Sequence, residues 1–187
     1  MTEKILKGEK IYLREPTAED FEELDALYKS SRQLHRGLVS PTFGRDDFDE
    51  LLKRNKGDDY ESLLICVNET DAIAGTITLS QIFRKAFQNA YLGYLLSEKF
   101  TGKGYMTEAV ELMLKHAFSI LKLHRIEANV QPHNSASINV LKRTGFTKEG
   151  FSRNYLKISG KWRDHERWAI IKEDWAKNGK QRSKTSN

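Results

Sequence analysis

The chain has 187 residues and a single cysteine, so it is long enough for one full hydrophobic core and cannot form an intrachain disulfide. Its formal charge of +5 would suit a nucleic-acid binder if the charges lay on the folded part. However, residues 177–187 hold four Lys or Arg residues and no acid, which leaves the remainder nearly neutral. We therefore expect one domain over residues 1–176, a disordered basic tail over residues 177–187 and no direct contact with nucleic acid.

The beginning of the chain bears on localisation. Residues 1–10 are charged and lack the apolar segment of a signal peptide, and no apolar run elsewhere is long enough to cross a bilayer. We expect a soluble, cytoplasmic protein with no membrane partner. Cys66 lies in the apolar run 63–67, which is typical of a buried strand, so we interpret it as a structural thiol and not as a nucleophile.

Acidic residues are concentrated in the segment 15–61, which carries thirteen Asp or Glu residues against seven Lys or Arg. Two interpretations are open at this point. The acids occupy first turns and solvated faces of helices, or they form a surface for a cationic partner.

Hydrophobic periodicity and turn residues predict an alternating order of strands and helices. In chain order the predicted elements are a strand at 10–14, a helix capped by Thr17, a helix at 46–56, strands at 60–67, 72–82 and 90–96, a long helix after Gly104, a strand at 125–130, a short helix at 135–144, and strands at 153–158 and 162–172. This order indicates an α/β fold with one mixed sheet of about seven strands and about four helices.

Two closely spaced glycines, Gly102 and Gly104, connect the strand at 90–96 to the long helix. The helix has one apolar stripe at steps of three and four residues: Met106, Ala109, Val110, Met113, Ala117, Ile120 and Leu121. A helix start offers unpaired backbone N–H groups and the positive end of the helix dipole, and glycines leave room for a phosphate to approach. On this segment alone, a phosphate site and an ordinary turn both remain possible.

Two familiar phosphate motifs do not account for the glycine segment. No run of four residues separates a glycine from a Gly-Lys-Ser/Thr sequence, which excludes a P-loop. A dinucleotide fingerprint would need Gly or Ala at Thr107 and an acid at the end of the next strand, whereas Glu127 lies near the start of that strand.

Three segments together resemble the GCN5-related N-acetyltransferase (GNAT) superfamily, and within it the RimJ/RimL-type ribosomal-protein alanine N-acetyltransferases. The glycine segment is similar to that family's Gln/Arg-x-x-Gly-x-Gly/Ala signature, with Lys99 where Gln or Arg is usual. Residues 134–146 are similar to its Asn-x-x-Ser helix that ends in Gly-Phe, and residues 160–165 to its closing hairpin. The resemblance extends from Ile11 to Trp175 and implies a single-domain GNAT fold.

The resemblance also implies acetyl-CoA as the co-substrate and no metal. The pyrophosphate would be held by backbone N–H groups of the glycine segment, and the pantetheine arm would contact the Asn134 side chain. The residues expected to bind acetyl-CoA are Leu95, Leu96, Thr101, Gly102, Lys103, Gly104, Tyr105, Met106, Thr107, Asn134 and Ser137.

Members of this family transfer acetyl directly to an amine, so no nucleophilic triad is needed. By resemblance, the backbone N–H of Leu95 stabilises the negative charge that grows on the thioester oxygen, and Ser137 protonates the leaving thiolate. Relatives often have a Glu base where this chain has Tyr91, so the general base stays unassigned. By residue type the candidates are Glu61, Glu127, Tyr91 and His165.

The expected acceptor is a primary amine, and a protein N-terminus is favoured. An α-amine has an ordinary pKa near 8 and a lysine near 10.4, so the α-amine loses its proton with less help. The resemblance points to a ribosomal protein N-terminus as one such acceptor. It also leaves open a homo-oligomer. Two alternatives are an acetyltransferase of a small amine metabolite or antibiotic, and a non-catalytic CoA-binding module that has lost its base.

Overall fold

The computed structural model describes residues 4–38 and 43–185, which form eight strands and five α-helices. The strands are β1 (Lys4–Lys7), β2 (Ile11–Arg14), β3 (Tyr60–Val67), β4 (Ile73–Phe83), β5 (Asn89–Leu96), β6 (Arg125–Val130), β7 (Thr147–Ile158) and β8 (Lys161–Ile171). The helices are α1 (Phe21–Ser30), α2 (Arg45–Arg54), α3 (Tyr105–Ser119), α4 (Ser135–Thr144) and α5 (Lys172–Thr185). Single 3₁₀ turns precede α1 and follow β5.

One mixed sheet has the strand order β1-β2-β3-β4-β5-β6-β8-β7. Neighbours pair antiparallel except β5 and β6, which are parallel and are joined through α3. A parallel pair needs a crossover connection, and the long helix provides it. The glycine segment therefore begins at the end of a central strand.

Strands β5 and β6 separate after three residue pairs. Asn89, Ala90 and Tyr91 pair with residues 125–127, and no ladder pair follows between the remaining part of β5 and residues 128–130. Each strand keeps its other neighbour, because β5 continues along β4 and β6 along β8. The sheet therefore opens as a wedge between the ends of β5 and β6.

The two faces of the sheet carry separate apolar clusters. On one face α3 buries Met106, Val110 and Met113 against β2 to β6, and on the other Leu24 of α1 and Phe48 of α2 pack on β2 and β3. Side chains that alternate along β3 contribute to both clusters, as expected for a strand covered on both sides. Cys66 is among them and is fully buried, in agreement with its structural interpretation.

The structure adds one strand and one helix to the predicted elements. The seven predicted strands are present, and β1 is the eighth: a four-residue strand that pairs with β2. The tail predicted to be disordered from residue 177 instead lies mostly within α5, which extends from Lys172 to Thr185. Trp175 packs against Phe118 with ring centroids 5.4 Å apart, which anchors the first turn. The Lys, Gln and Arg residues that follow Trp175 have favourable helix propensities, which supports the continuation of α5.

Within the described ranges, none of the helices has both the length and the apolar character needed to cross a membrane.

Candidate active site

A cavity of about 570 Å³ occupies the wedge between β5 and β6. Its walls are residues 92–96 of β5, residues 128–131 at the end of β6, the start of α3 and one side of α4 from Ala136 to Arg143. Every residue that the sequence predicted to bind acetyl-CoA lines this cavity except Lys103. The ammonium group of Lys103 lies instead over the Phe100 ring, 5.4 Å from its centroid.

The start of α3 has the geometry of an anion site. Gly104 is the N-cap with φ +84°, and Gly102 has φ +75°, a region of backbone conformation that side chains rarely adopt. The N–H of Glu108 donates to the Gly104 carbonyl at 3.1 Å, so the preceding amides of the first turn have no acceptor within the helix. A Cβ on Gly102 would meet nothing within 4 Å, which shows how open this approach is.

Lys10 brings a cation to the glycine segment from a distant part of the chain. Its ammonium donates to the Lys103 carbonyl at 3.5 Å and lies 3.8 Å from the position of a Cβ on Gly104. The Lys10 backbone N–H donates to Glu108 at 3.0 Å, which turns the only acid of the first turn of α3 towards β2. No sequence pattern predicts this contact, because it joins residues nearly a hundred positions apart.

Ser137 is held at the start of α4 and is hydrogen-bonded to Tyr94 of β5. Asn134 caps the helix by accepting from the Ser137 N–H at 3.2 Å, and the Ser137 and Tyr94 hydroxyls are 2.7 Å apart. Burial raises the pKa of Tyr94 to about 12, so this phenol keeps its proton at neutral pH. Tyr94 can therefore donate to Ser137, which leaves the serine proton free to point into the cavity.

The segment 31–38 after α1 crosses the cavity and is attached to both sides of the wedge. On the β5 side, the Ser31 hydroxyl accepts from Glu98 N–H at 3.1 Å and His35 Nε2 contacts the Leu96 carbonyl at 2.9 Å. On the β6 side, the Gln131 amide donates to the Gly37 carbonyl at 2.7 Å. These bonds close the cavity over the end of β5 and bring His35 into its wall.

His165 of β8 lines the same cavity and is 2% exposed. Its Nδ1 lies 3.0 Å from the Arg163 carbonyl, which can only accept, so Nδ1 carries the proton and Nε2 has the lone pair in the neutral ring. Burial lowers the pKa of His165, so the ring is neutral at pH 7. These are the properties of a general base.

The other three candidates for the base lie outside the cavity wall. Glu61 accepts from His116 at 3.0 Å, and Glu127 pairs with Arg125 at 2.9 Å. Tyr91 does not line the cavity, and burial raises its pKa. Among the described residues, no Asp or Glu lines the cavity, so the acids of the segment 15–61 lie outside its wall.

Asn129 of β6 adds a polar group to the cavity wall. Its side-chain oxygen is buried and has no hydrogen-bond partner within the described part of the chain. Buried amide oxygens are nearly always paired, so this atom is available to accept from a donor that enters the cavity.

Comparisons with known proteins identify the family of the chain. The acetyltransferase (GNAT) domain family matches residues 10–147. The chain is 39% identical over 180 residues to the Bacillus subtilis protein named "Probable N-acetyltransferase YjcK", covering 91% of this chain and 98% of that protein. It is 42% identical over 103 residues to the [ribosomal protein uS5]-alanine N-acetyltransferase of Escherichia coli, a match of 55% of this chain and 53% of that enzyme.

A solved structure has the same architecture. Mycobacterium smegmatis RimJ in complex with CoA-disulfide superposes with a TM-score of 0.79 and 28% sequence identity, covering 87% of this chain and 82% of that one. In this chain the sheet parts at its centre, and the glycine-rich start of α3 lies beside the opening. The chain belongs to the GNAT acetyltransferase family and is an N-acetyltransferase.

Proposed function

We propose that the protein transfers acetyl from acetyl-CoA to the N-terminal α-amine of a protein, as the ribosomal-protein alanine N-acetyltransferases do. The observation that carries the proposal is a single cavity lined by the glycine-rich start of α3, by Ser137 with its Tyr94 partner, and by the neutral imidazole of His165. An anion site, a proton donor and a base are thus available to one bound pair of substrates.

The cavity residues fit acetyl-CoA, which supplies the thioester. The first-turn amides of α3 and the Lys10 ammonium suit a pyrophosphate, and Asn134 and Asn129 offer amide groups to the pantetheine arm. The glycine segment is open to solvent at Gly102, so the phosphates of acetyl-CoA can approach the helix start from that side.

The chemistry follows from the placement of donors and acceptors. The neutral amine attacks the thioester carbon and passes a proton to His165 Nε2, the C–S bond breaks, and the sulfur leaves as a thiol with the proton of Ser137. His165 then releases its proton to solvent and Ser137 regains one from solvent, so the net transfer is one proton from the amine to the thiol. The backbone N–H of Leu95 is proposed to stabilise the charge on the thioester oxygen, a contact that strengthens as the reaction proceeds. Ser137 gives its proton to the sulfur, and Tyr94 donates to Ser137 as the serine proton departs.

The α-amine is favoured over lysine by the base that is present. A buried imidazole with a lowered pKa is a weak base, so it assists an amine with a pKa near 8 far better than one near 10.4. No carboxylate lines the cavity in the described part of the chain, which also disfavours a polyamine acceptor.

An acceptor panel tests the proposal. Purified protein with acetyl-CoA is expected to acetylate peptides that begin with Ala or Ser, with thiol release equal to acetylated peptide by mass spectrometry. A peptide with a blocked N-terminus and a free lysine is the control. Turnover of small amines or aminoglycosides with none of any peptide would overturn the proposal.

The pH dependence of kcat/KM for a peptide reports the base. His165 acts when neutral, and its pKa lies below the usual 6.5, so activity is lost as pH falls through that lowered value. The acceptor amine must also be neutral and titrates near pH 8. We expect log(kcat/KM) to rise with slope two below the His165 pKa, with slope one up to about pH 8, and then to level off.

His165→Gln is expected to remove the slope-two region and to lower the plateau about 10- to 100-fold. The control is His124→Gln, whose exposed ring lies outside the cavity and pairs with Glu173 at 3.2 Å. A slope-two region that persists in a folded His165→Gln protein would show that another group is the base.

Tyr94→Phe removes the hydroxyl that donates to Ser137. We expect kcat to fall about 3- to 30-fold with little change in KM for acetyl-CoA, because the bond matters most as the serine loses its proton. In the double variant with Ser137→Ala, the loss should not exceed that of Ser137→Ala alone. Tyr60→Phe, outside the cavity, is the control, and additive losses would contradict the proposed relay.

A further inference from the structure

A second cavity, of about 590 Å³, lies beside the first and shares His35 with it. It is enclosed by the end of α1 and the segment 31–38 on one side, and by the β7–β8 turn with the start of β8 on the other. If the amine of an acceptor enters the first cavity through the second, the rest of the acceptor lies in the second cavity.

The walls of the second cavity are basic. Lys29, Arg32 and Arg36 recur at steps of three and four residues through the end of α1 and the turns after it, so they lie on one side of that segment. Lys161 and Arg163 of β8 alternate and share one face of the strand. Within the described residues, the cavity wall contains no Asp or Glu.

These cations are largely without counter-charges. Lys29 pairs with Asp25 at 2.6 Å, but in the part of the chain that the structure describes no carboxylate forms an ion pair with Arg32, Arg36, Lys161 or Arg163. The Arg163 Nε is buried and has no hydrogen-bond partner there. A buried guanidinium N–H without an acceptor is costly to the folded protein, which indicates that an anion from outside completes this group.

We infer that the second cavity recognises acidic residues that follow the N-terminus of the acceptor, so that the enzyme prefers protein N-termini with Asp or Glu at the second or third position. This inference rests on the proposed function. His165 and Arg163 are two residues apart on one face of β8, a separation of about 7 Å. An extended peptide advances about 3.3–3.6 Å per residue, so a peptide with its amine at His165 would bring its third residue to the level of Arg163.

Three amidated peptides of equal length test the inference: Ala-Glu-Glu-Gly-Trp, Ala-Gln-Gln-Gly-Trp and Ala-Lys-Lys-Gly-Trp. We expect kcat/KM to be about tenfold or more higher for the acidic peptide than for the neutral one, mainly through KM, and lowest for the basic peptide. The preference should shrink as salt is added, because the cations on the cavity rim are exposed. Equal values for the acidic and neutral peptides would overturn the inference and leave the proposed function intact.

Substitutions identify the groups responsible. Arg32→Gln with Arg163→Gln should lower kcat/KM for the acidic peptide about tenfold and leave the neutral peptide unchanged. If Arg163→Gln lowers the melting temperature, Arg32→Gln with Lys161→Gln changes only exposed side chains and should reduce the preference in the same direction. Arg153→Gln, an exposed residue of β7 outside both cavities, is the matched control.

Two further outcomes of the peptide assay distinguish a failure of the proposed function from a failure of the inferred peptide preference. Failure to acetylate all three peptides, with normal acetyl-CoA binding, would overturn the proposed function itself. Acetylation of free glutamate or aspartate as fast as the acidic peptide would assign the basic cavity to small carboxylate substrates, and would overturn the peptide preference.

Discussion

Gly104→Val is expected to weaken acetyl-CoA binding at least about 100-fold, as measured by calorimetry. Gly104 has φ +84°, which costs a β-branched residue a few kcal/mol of strain, and the added methyl groups would cover the first-turn amides of α3. The protein itself leaves room for the new side chain, because a Cβ would meet only the Lys10 ammonium at 3.8 Å. The loss would therefore come from backbone strain and from the covered phosphate approach, with no clash in the core.

Gly160→Val separates those two causes. Gly160 has φ +78° in the β7–β8 turn, with nothing within 4 Å of its added Cβ, so this variant carries the same strain away from the phosphate approach. We expect reduced stability with normal acetyl-CoA affinity. If a folded Gly104→Val protein also binds normally, the phosphates of acetyl-CoA lie elsewhere.

Ser137→Ala is expected to lower kcat and kcat/KM together by about 10- to 1,000-fold, with acetyl-CoA affinity nearly unchanged. The hydroxyl lies 2.7 Å from the Tyr94 phenol and is proposed to act as the thiolate forms, so its removal affects the transition state more than the bound substrates. The lower end of the range allows for a water that replaces the hydroxyl and remains bonded to Tyr94.

Ser135→Ala is the matched control for Ser137→Ala, because it removes an exposed hydroxyl from the same first turn of α4 outside the cavity wall. Stopped-flow measurement of thiol release in a single turnover would separate chemistry from product release. Turnover at the wild-type rate in folded Ser137→Ala would leave Ser137 as a helix residue beside the Asn134 cap.

The proposed mechanism and the second cavity depend on different residues. Gly104, Ser137 and Tyr94 concern how acetyl-CoA is held and cleaved, and variants there should affect all acceptors equally. The choice of acceptor depends on the basic residues of the second cavity, such as Arg32 and Lys161. Variants of these residues should therefore change the ranking of peptides by kcat/KM and not the maximal rate. Measuring both classes with two peptides distinguishes these effects.

The sequence alone determined those parts of the protein whose residues are close together in the chain. The glycine segment and the Asn134 to Gly145 helix were located correctly, because helix starts and ends depend on backbone angles and hydrogen bonds within a few residues. The alternation of apolar residues likewise gave the α/β class and seven of the strands. The short strand β1 was missed because four residues carry too little periodicity.

Tertiary structure alone decided which distant residues meet. Tyr94 and Ser137 come together because β5 parts from β6 while α4 begins at the end of β6, and Lys10 reaches the glycine segment because β2 runs beneath α3. The second cavity is lined by residues 29–36 and 161–163, which are far apart in the chain. Its positive charge was not evident from the sequence, because the segment 15–61 as a whole has a negative net charge. Local preferences fix each element, but strand order and the opening of the sheet determine which side chains share a cavity.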